Sequence, residues 1–223
     1  MMDTKRYAFI FDMDGVIVDN AEYHYGAWEE FCRRKGFNYQ RGDSRYWFGN
    51  TNREILEKIM GRKPGPDEIR ELGEEKEAIY RELIAPDLQA VAGLEPLLME
   101  MKASGFSVAM ATSAPSENVD FVLGTLGIRH YFDPIVDASG VENGKPSPEI
   151  YLKAARLLGR VPGNCLVFED AIAGIRSARN AGMKVVGLIT TLEEEELENT
   201  EQNISDFTRT SLDQLYGILA GRK

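Results

Sequence analysis

The sequence has few cysteines, no long apolar run and no signal-peptide pattern. Cys32 and Cys165 are far apart and match no metal-binding or redox spacing. We expect them to be buried free thiols, with a disulfide as the alternative. No stretch approaches the roughly 18 apolar residues of a membrane-spanning helix, and the N-terminus lacks the apolar segment of a secretory signal. These absences predict a soluble, cytoplasmic protein.

Basic residues are also in deficit, and the net charge is −10. Nucleic acids and anionic membranes bind clustered Lys and Arg, so we expect neither as a partner. An anionic substrate would need local cations or a metal to overcome this negative charge. At 223 residues, with 43% hydrophobic residues, the chain is long enough for one core and a smaller second unit. We expect a monomer, with a dimer as the alternative.

The segment 7–19 combines a short apolar run with two neighbouring carboxylates. Residues 7–11 predict a strand buried on both faces, as in parallel sheets. Asp12 and Asp14 follow it, and Gly15 allows a sharp turn away from the strand. Two acids this close repel unless a proton or a cation lies between them. The alternative is an ordinary strand-to-turn sequence, because Asp and Gly favour turns.

Predicted strands and helices alternate over much of the chain. Strands are predicted at 106–111, 134–136, 166–168 and 184–189, and helices at 20–36, 51–60, 67–84, 116–126, 148–158 and 171–181, with 37–49 irregular. This alternation predicts an α/β fold with a Rossmann-like, doubly wound and mostly parallel sheet. We see no internal repeat.

The segment between the first two strands is too long for an ordinary crossover. We therefore predict a helical subdomain at 16–90 inserted into an α/β core formed by 1–15 and 91–223. Asn20 is placed to cap the first inserted helix, and His24 shares its apolar face. Lys76 interrupts the apolar face of the last one, so it either extends to water or points into a cavity.

Polar residues recur where predicted strands end and in one Gly/Pro loop. The members of this set are Asp12, Asp14, Thr112, Ser113, Lys145, Glu169 and Asp170. Singly, each has an ordinary explanation as a strand end, a helix cap or an exposed lysine. Together they predict an oxygen-rich site at one sheet edge, which suits Mg²⁺ better than zinc.

This combination fits phosphoryl transfer. Such transition states spread negative charge over the phosphoryl oxygens, so positioning and charge neutralisation dominate catalysis. A carboxylate can accept the phosphoryl group covalently, and a second carboxyl can relay the proton.

With these residues in place, the chain resembles the haloacid dehalogenase superfamily, in its helical-cap phosphatase and β-phosphoglucomutase-like branch. The motifs that carry this resemblance are Asp12-Met13-Asp14-Gly15-Val16, Ala111-Thr112-Ser113, Gly144-Lys145-Pro146 and Phe168-Glu169-Asp170. The resemblance implies that Asp12 is the nucleophile and Asp14 the general acid and base. It also implies that Ser113 and Lys145 hold the transferring phosphate.

The resemblance further implies a Mg²⁺ site and a substrate-binding set. The metal ligands would be the Asp12 side chain, the Asp14 backbone carbonyl and Asp170, with Glu169 as a ligand or a neighbour. The substrate-binding residues would be Thr112, Ala114, Asn118, His24, Arg53 and Lys76. A core histidine is the alternative for His24.

One departure bears on the reaction type. Mutases of this branch tend to carry Ser-Lys-Asn or Ser-Arg-Asn after the second motif, to hold a second phosphate, whereas this chain has Ser116-Glu117-Asn118. Glu117 would repel a second phosphate, although Arg45, Arg53 and Lys76 could compensate. We therefore predict a Mg²⁺-dependent phosphatase of a small phosphorylated metabolite, expected to be a sugar phosphate, acting through an aspartyl-phosphate intermediate. The alternative is a β-phosphoglucomutase that interconverts β-glucose 1-phosphate and glucose 6-phosphate.

A non-enzymatic phospho-receiver or binding protein is the remaining alternative. Receivers are much shorter than this chain, and their acceptor aspartate is not on the first strand. A binding protein would have no need of both Asp12 and Asp14.

Overall fold

The computed structural model describes residues 3–44 and 47–221. Its strands are β1 (Ala8–Phe11), β2 (Ser107–Ala111), β3 (Ile135–Val136), β4 (Cys165–Glu169), β5 (Lys184–Leu188) and β6 (Gln202–Ile204). Its α-helices are α1 (Ala21–Lys35), α2 (Arg41–Ser44), α3 (Asn52–Met60), α4 (Pro66–Ile84), α5 (Leu94–Ala103), α6 (Ser116–Leu126), α7 (Glu149–Leu157), α8 (Ile172–Asn180) and α9 (Leu212–Ala220).

The strands form one parallel sheet in the order β3-β2-β1-β4-β5-β6. Side chains of α5, α6 and α9 pack on one face of this sheet, and those of α7 and α8 pack on the other. The predicted doubly wound α/β fold is therefore confirmed. Because all strands run in the same direction, their carboxyl ends meet at one edge, where ligands bind in such sheets.

The central strand β1 is buried on both faces, as its composition predicts. Phe9 and Phe11 enter one hydrophobic core, while Ala8 and Ile10 enter the other, and each is 0% exposed. The ring of Phe11 stacks on that of Phe168 in β4, with centroids 4.4 Å apart. This packing fixes the direction in which β1 delivers Asp12.

The helices α1–α4 lie in the chain between β1 and β2, and we call them the helical insertion. Within it, α1 packs along α4. The division of the chain at 16–90 into a separate subdomain stays a prediction.

Several elements differ from the sequence-based prediction. The stretch 37–49 contains the short helix α2, and the sequence pattern does not predict α5, α9 or β6. Helix α1 begins at Ala21, but the Asn20 side chain does not cap it. The Asn20 amide instead donates to Asp14 and Tyr80, so it stabilises the loop that carries Asp14 rather than the start of α1.

Both cysteines are buried and free, as expected. Burial raises the pKa of Cys32 to about 11 and that of Cys165 to about 12. Among the described residues, no helix combines the length and apolar character needed to cross a membrane.

Candidate active site

A cavity of about 50 Å³ lies between the carboxyl end of the sheet and the helical insertion. Its lining combines residues of both parts, among them the polar Asp12, Asp14, Thr112 and Ser113 and the apolar Ala114 of the core, and His24 and Lys76 of the insertion. Side chains that are far apart in sequence therefore converge where the spacing of strands and carboxylates predicts a site.

An ion-paired group around Lys145 includes Asp12, which lines the cavity. The Lys145 Nζ donates to Asp12 Oδ2 at 2.7 Å and to Glu169 Oε1 at 2.6 Å, and Lys145 is 1% exposed. Burial alone would lower the pKa of Lys145, but the carboxylates of Asp12 and Glu169 outweigh it and raise that pKa. The lysine therefore stays charged and aims its ammonium at the Asp12 carboxylate.

Glu169 is held from several sides. Its Oε1 also accepts from the Tyr151 hydroxyl at 2.6 Å, and its Oε2 accepts from the backbone N–H of Asp170 at 3.0 Å and of Ala171 at 3.3 Å. Burial, together with Glu169, raises the pKa of Tyr151 well above its usual value, so this phenol stays a hydrogen-bond donor. Glu169 thus accepts backbone N–H groups of the two residues before α8 and also bonds Lys145.

Three carboxylates form a compact oxygen cluster. Oxygens of Asp12, Glu169 and Asp170 lie within 4.8 Å of one another, and all three residues are buried. The Thr191 hydroxyl donates to Asp170 Oδ2, whereas the buried Asp170 Oδ1 has no hydrogen-bond partner in the ranges 3–44 and 47–221. Burial raises the pKa of both Asp12 and Asp170 well above the usual aspartate value, and Lys145 only partly opposes this. Hard oxygen ligands with this excess of negative charge fit a cation such as Mg²⁺.

The backbone approaches this cluster closely at Gly15. Its φ is +74°, and a Cβ there would overlap the Asp170 carboxylate. Only glycine combines this conformation with this approach, so the loop after β1 and the loop after β4 can meet.

Asp14 lies beside the insertion. Its Oδ1 accepts from Asn20 Nδ2 at 2.7 Å and lies 3.5 Å from His24 Nε2. Burial would raise the pKa of Asp14, but His24 and the Asn20 hydrogen bond outweigh it and lower that pKa. Asp14 is therefore ionised at neutral pH in this arrangement.

Lys76 points into the cavity and does not extend to water, with 2% exposure. Its Nζ lies 3.1 Å from His24 Nδ1, 2.7 Å from Glu77 Oε1 and 4.9 Å from the ring centroid of Trp28. The His24 ring stacks on that of Tyr80, with centroids 3.8 Å apart. The two polar residues on the apolar faces of α1 and α4 thus meet each other beside Asp14.

The loop after β2 forms a tight turn at the cavity wall. The Thr112 hydroxyl accepts from the Ala114 N–H at 3.1 Å, so both groups are engaged within the loop. Ser113 lies between them, is partly exposed and lines the cavity. Within this loop, Ser113 is the residue whose hydroxyl is best placed to meet a ligand.

Two of the predicted substrate-binding residues lie away from the cavity. Arg53 lines a neighbouring groove, where its Nη2 donates to the Glu142 backbone carbonyl at 3.2 Å. Asn118 is fully buried, and its amide bonds Glu77 and Arg81 of the insertion. Arg45, the other arginine expected to compensate for Glu117, lies outside the described residues.

The sequence interpretation missed several residues of this site. They are Asn20 as a partner of Asp14, and Glu77, Tyr151 and Thr191. Tyr151 is indistinguishable by pattern from an apolar core position of α7. Thr191 follows β5 at the same sheet edge as the other polar groups, and that position is the signal that could identify it.

Known proteins similar to this chain identify its family. Residues 8–182 match the family model described as haloacid dehalogenase-like hydrolase. The chain is 35% identical over 189 residues to the β-phosphoglucomutase of Bacillus subtilis (strain 168), covering 81% of this chain and 82% of that protein. It is 34% identical over 185 residues to the fructose-1-phosphate phosphatase YqaB of Escherichia coli (strain K12), covering 82% of this chain and 96% of that protein.

A solved structure shares the whole architecture. The crystal structure of a β-phosphoglucomutase from Clostridium difficile superposes with a TM-score of 0.85 at 31% identity, covering 97% of this chain and 98% of the other. The resemblance carried by the four motifs is thereby confirmed. The chain belongs to the haloacid dehalogenase-like hydrolase family.

Proposed function

We propose that this protein is a Mg²⁺-dependent phosphatase that hydrolyses a small phosphorylated sugar through a phosphorylated Asp12. The observation that carries the proposal is the buried Asp12 carboxylate, paired with Lys145 beside Glu169 and Asp170 and open to a cavity that Asp14 also lines. The relatives named above, a phosphoglucomutase and a fructose-1-phosphate phosphatase, support an enzyme that acts on phosphorylated sugars.

Asp12 is the proposed nucleophile. Its Oδ2 is held by Lys145 at 2.7 Å and its Oδ1 by the Met13 N–H at 2.8 Å, so the carboxylate has a fixed direction. An oxygen of Asp12 would attack phosphorus, form a P–O bond and displace the sugar oxygen. The Lys145 ammonium and the Ser113 side chain would meet the phosphoryl oxygens as their charge develops.

Asp14 is the proposed proton relay. A bound phosphate dianion would raise its pKa, so that the carboxyl protonates the leaving sugar oxygen. After the sugar leaves, the Asp14 carboxylate would take a proton from the water that attacks phosphorus, and inorganic phosphate would leave Asp12. Such a relay is typically worth about 10²–10⁴-fold in rate.

Asp12 and Asp170 would hold Mg²⁺ with the Asp14 backbone carbonyl, and Glu169 would be a ligand or a neighbour. Two observations fit this ion. Within the described part of the chain, the buried Asp170 Oδ1 has no hydrogen-bond partner, and the charges of three carboxylates are opposed by the ammonium of one lysine, Lys145. When bound, the ion would supply charge neutralisation between the anionic nucleophile and the anionic phosphate.

The insertion would have to move to admit the substrate. A cavity of about 50 Å³ holds a few water molecules, because each needs about 10–15 Å³ of such space. A sugar phosphate is far larger than that. We therefore propose that the insertion opens to bind substrate and closes for chemistry.

A mutase is the second candidate, because β-phosphoglucomutases are among the relatives and the similar structures. Hydrolysis is favoured by the groups where a second phosphate would have to bind. Glu117 is exposed there, Arg53 bonds a backbone carbonyl, and Asn118 is occupied by residues of the insertion.

The test is turnover of a panel of sugar phosphates with and without Mg²⁺. The panel includes β-glucose 1-phosphate primed with a trace of glucose 1,6-bisphosphate. We expect Mg²⁺-dependent release of inorganic phosphate. Formation of glucose 6-phosphate without phosphate release would overturn hydrolysis in favour of the mutase.

A further inference from the structure

A polar contact joins the insertion to the core beside the cavity. Asn118, near the start of α6, is 0% exposed, although its side chain is polar. Its Nδ2 donates to Glu77 Oε2 at 2.7 Å, and its Oδ1 accepts from Arg81 Nη1 at 2.7 Å. Glu77 and Arg81 are one turn apart on α4, so one helix face holds both ends of one amide.

The polarity of this contact is specific. The carboxylate can only accept and the guanidinium can only donate, so one orientation of the amide satisfies both. Hydrogen bonds to charged groups are stronger than neutral ones, and a buried group left without its partner is costly. The contact therefore stabilises the closed arrangement through groups of the chain itself.

Glu77 also connects this contact to the cavity. Its Oε1 accepts from Lys76 Nζ at 2.7 Å and from Asn52 Nδ2 at 2.8 Å. The same Lys76 ammonium faces His24, which lies beside Asp14. One Glu77 carboxylate thus contacts both Asn118 and Lys76.

We propose that Glu77, Arg81 and Asn118 form a clasp that closes the insertion over the site, positions Lys76 and excludes substrates with a second phosphate. The proposal rests on the proposed function, because it narrows the substrate to a monophosphate ester. The Asn118 amide is already occupied in the closed state, and the adjacent Glu77 carboxylate would repel a second phosphate. Glu77 and Arg81 make the contacts with Asn118 that a second phosphate would otherwise make.

A double-mutant cycle tests the clasp. Glu77→Gln places an amide N–H₂ against the Asn118 N–H₂, and Asn118→Asp places two carboxylates together. In the double variant, the new amide at position 77 keeps an oxygen for Lys76 and Asn52 and donates to the new carboxylate at position 118. The other oxygen of that carboxylate pairs with Arg81. Charge and hydrogen bonds are then restored with reversed polarity.

Hydrogen exchange of α4 and α6 without substrate is the first readout. We expect faster exchange in each single variant and near-wild-type exchange in the double variant. The second readout is kcat/KM on a sugar monophosphate, which we expect to fall about tenfold in each single variant and to recover in the double. Glu74→Gln, an exposed charge removal on α4, is the matched control for both.

A double variant that exchanges as fast as the faster single variant would overturn the clasp. The exclusion of a second phosphate fails if the wild type hydrolyses a sugar bisphosphate as fast as a monophosphate. If Asn118→Asp then loses only the bisphosphate activity, Asn118 is a phosphate ligand. If the wild type releases no phosphate from any sugar phosphate, the proposed function fails, while the exchange experiment still decides whether the clasp exists.

Discussion

At the scale of single residues, the site is defined by an imbalance of charge. The carboxylates of Asp12, Glu169 and Asp170 converge, and the ammonium of Lys145 balances only part of their charge. The residue types and their positions after strands can be read from the sequence. The hydrogen bonds from Tyr151 and Thr191 cannot, because they depend on how α7 and the loop after β5 pack against β4.

This imbalance predicts that Mg²⁺ stabilises the folded protein. A ligand that binds only the native state adds about 2.7 kcal/mol at a hundred times its Kd, so we expect the unfolding temperature to rise with Mg²⁺ concentration. Asp170→Asn removes a proposed ligand and should abolish most of the rise. Thermal unfolding across a magnesium series, with Glu198→Gln as an exposed control, measures the effect.

A wild-type unfolding temperature that does not change with Mg²⁺ would contradict the proposed metal site. An equal rise in wild type and Asp170→Asn would contradict the assignment of Asp170.

At the scale of elements, helix α8 sets the position of Glu169. Gly174 in α8 lies so close that a Cβ would overlap the Glu169 carboxylate. The sequence predicts α8 and β4 from their apolar periods, but it does not reveal this close approach. The reason is that the sequence around a helical glycine does not reveal whether that glycine packs against another residue or faces solvent.

The contrast between two helical glycines tests this contact. Gly174→Ala should destabilise the protein by about 1–3 kcal/mol through overpacking and should reduce kcat, because Glu169 and with it Lys145 must shift. A Cβ at Gly124 in α6 meets no described atom within 4 Å, so Gly124→Ala should stabilise by about 0.5–1 kcal/mol with unchanged kcat. Urea unfolding and steady-state kinetics measure both. Equal effects of the two substitutions would contradict the role given to Gly174.

At the scale of the whole molecule, the sheet brings the carboxyl ends of β1, β2 and β4 together, and the helical insertion covers them. Strand composition and alternation suffice to predict strands β1 to β5 and helices α1, α3 and α4, but not α2, α5 or β6. They do not predict the contacts across the two parts. Asn118, for example, meets Glu77 and Arg81 only through the tertiary placement of α4 on α6, whereas its position after the second motif predicts a substrate contact.

The most direct test of the central claim is to trap the phosphoryl group on Asp12. The enzyme is mixed with Mg²⁺ and its best sugar phosphate, quenched in acid within one turnover, digested and examined by mass spectrometry. We predict one added phosphoryl group on the peptide that contains Asp12, and none in an Asp12→Asn variant, whose turnover should fall by at least about a thousandfold. A wild-type enzyme that turns over rapidly with no modified peptide, or an Asp12→Asn variant that retains substantial turnover, would contradict the proposed mechanism.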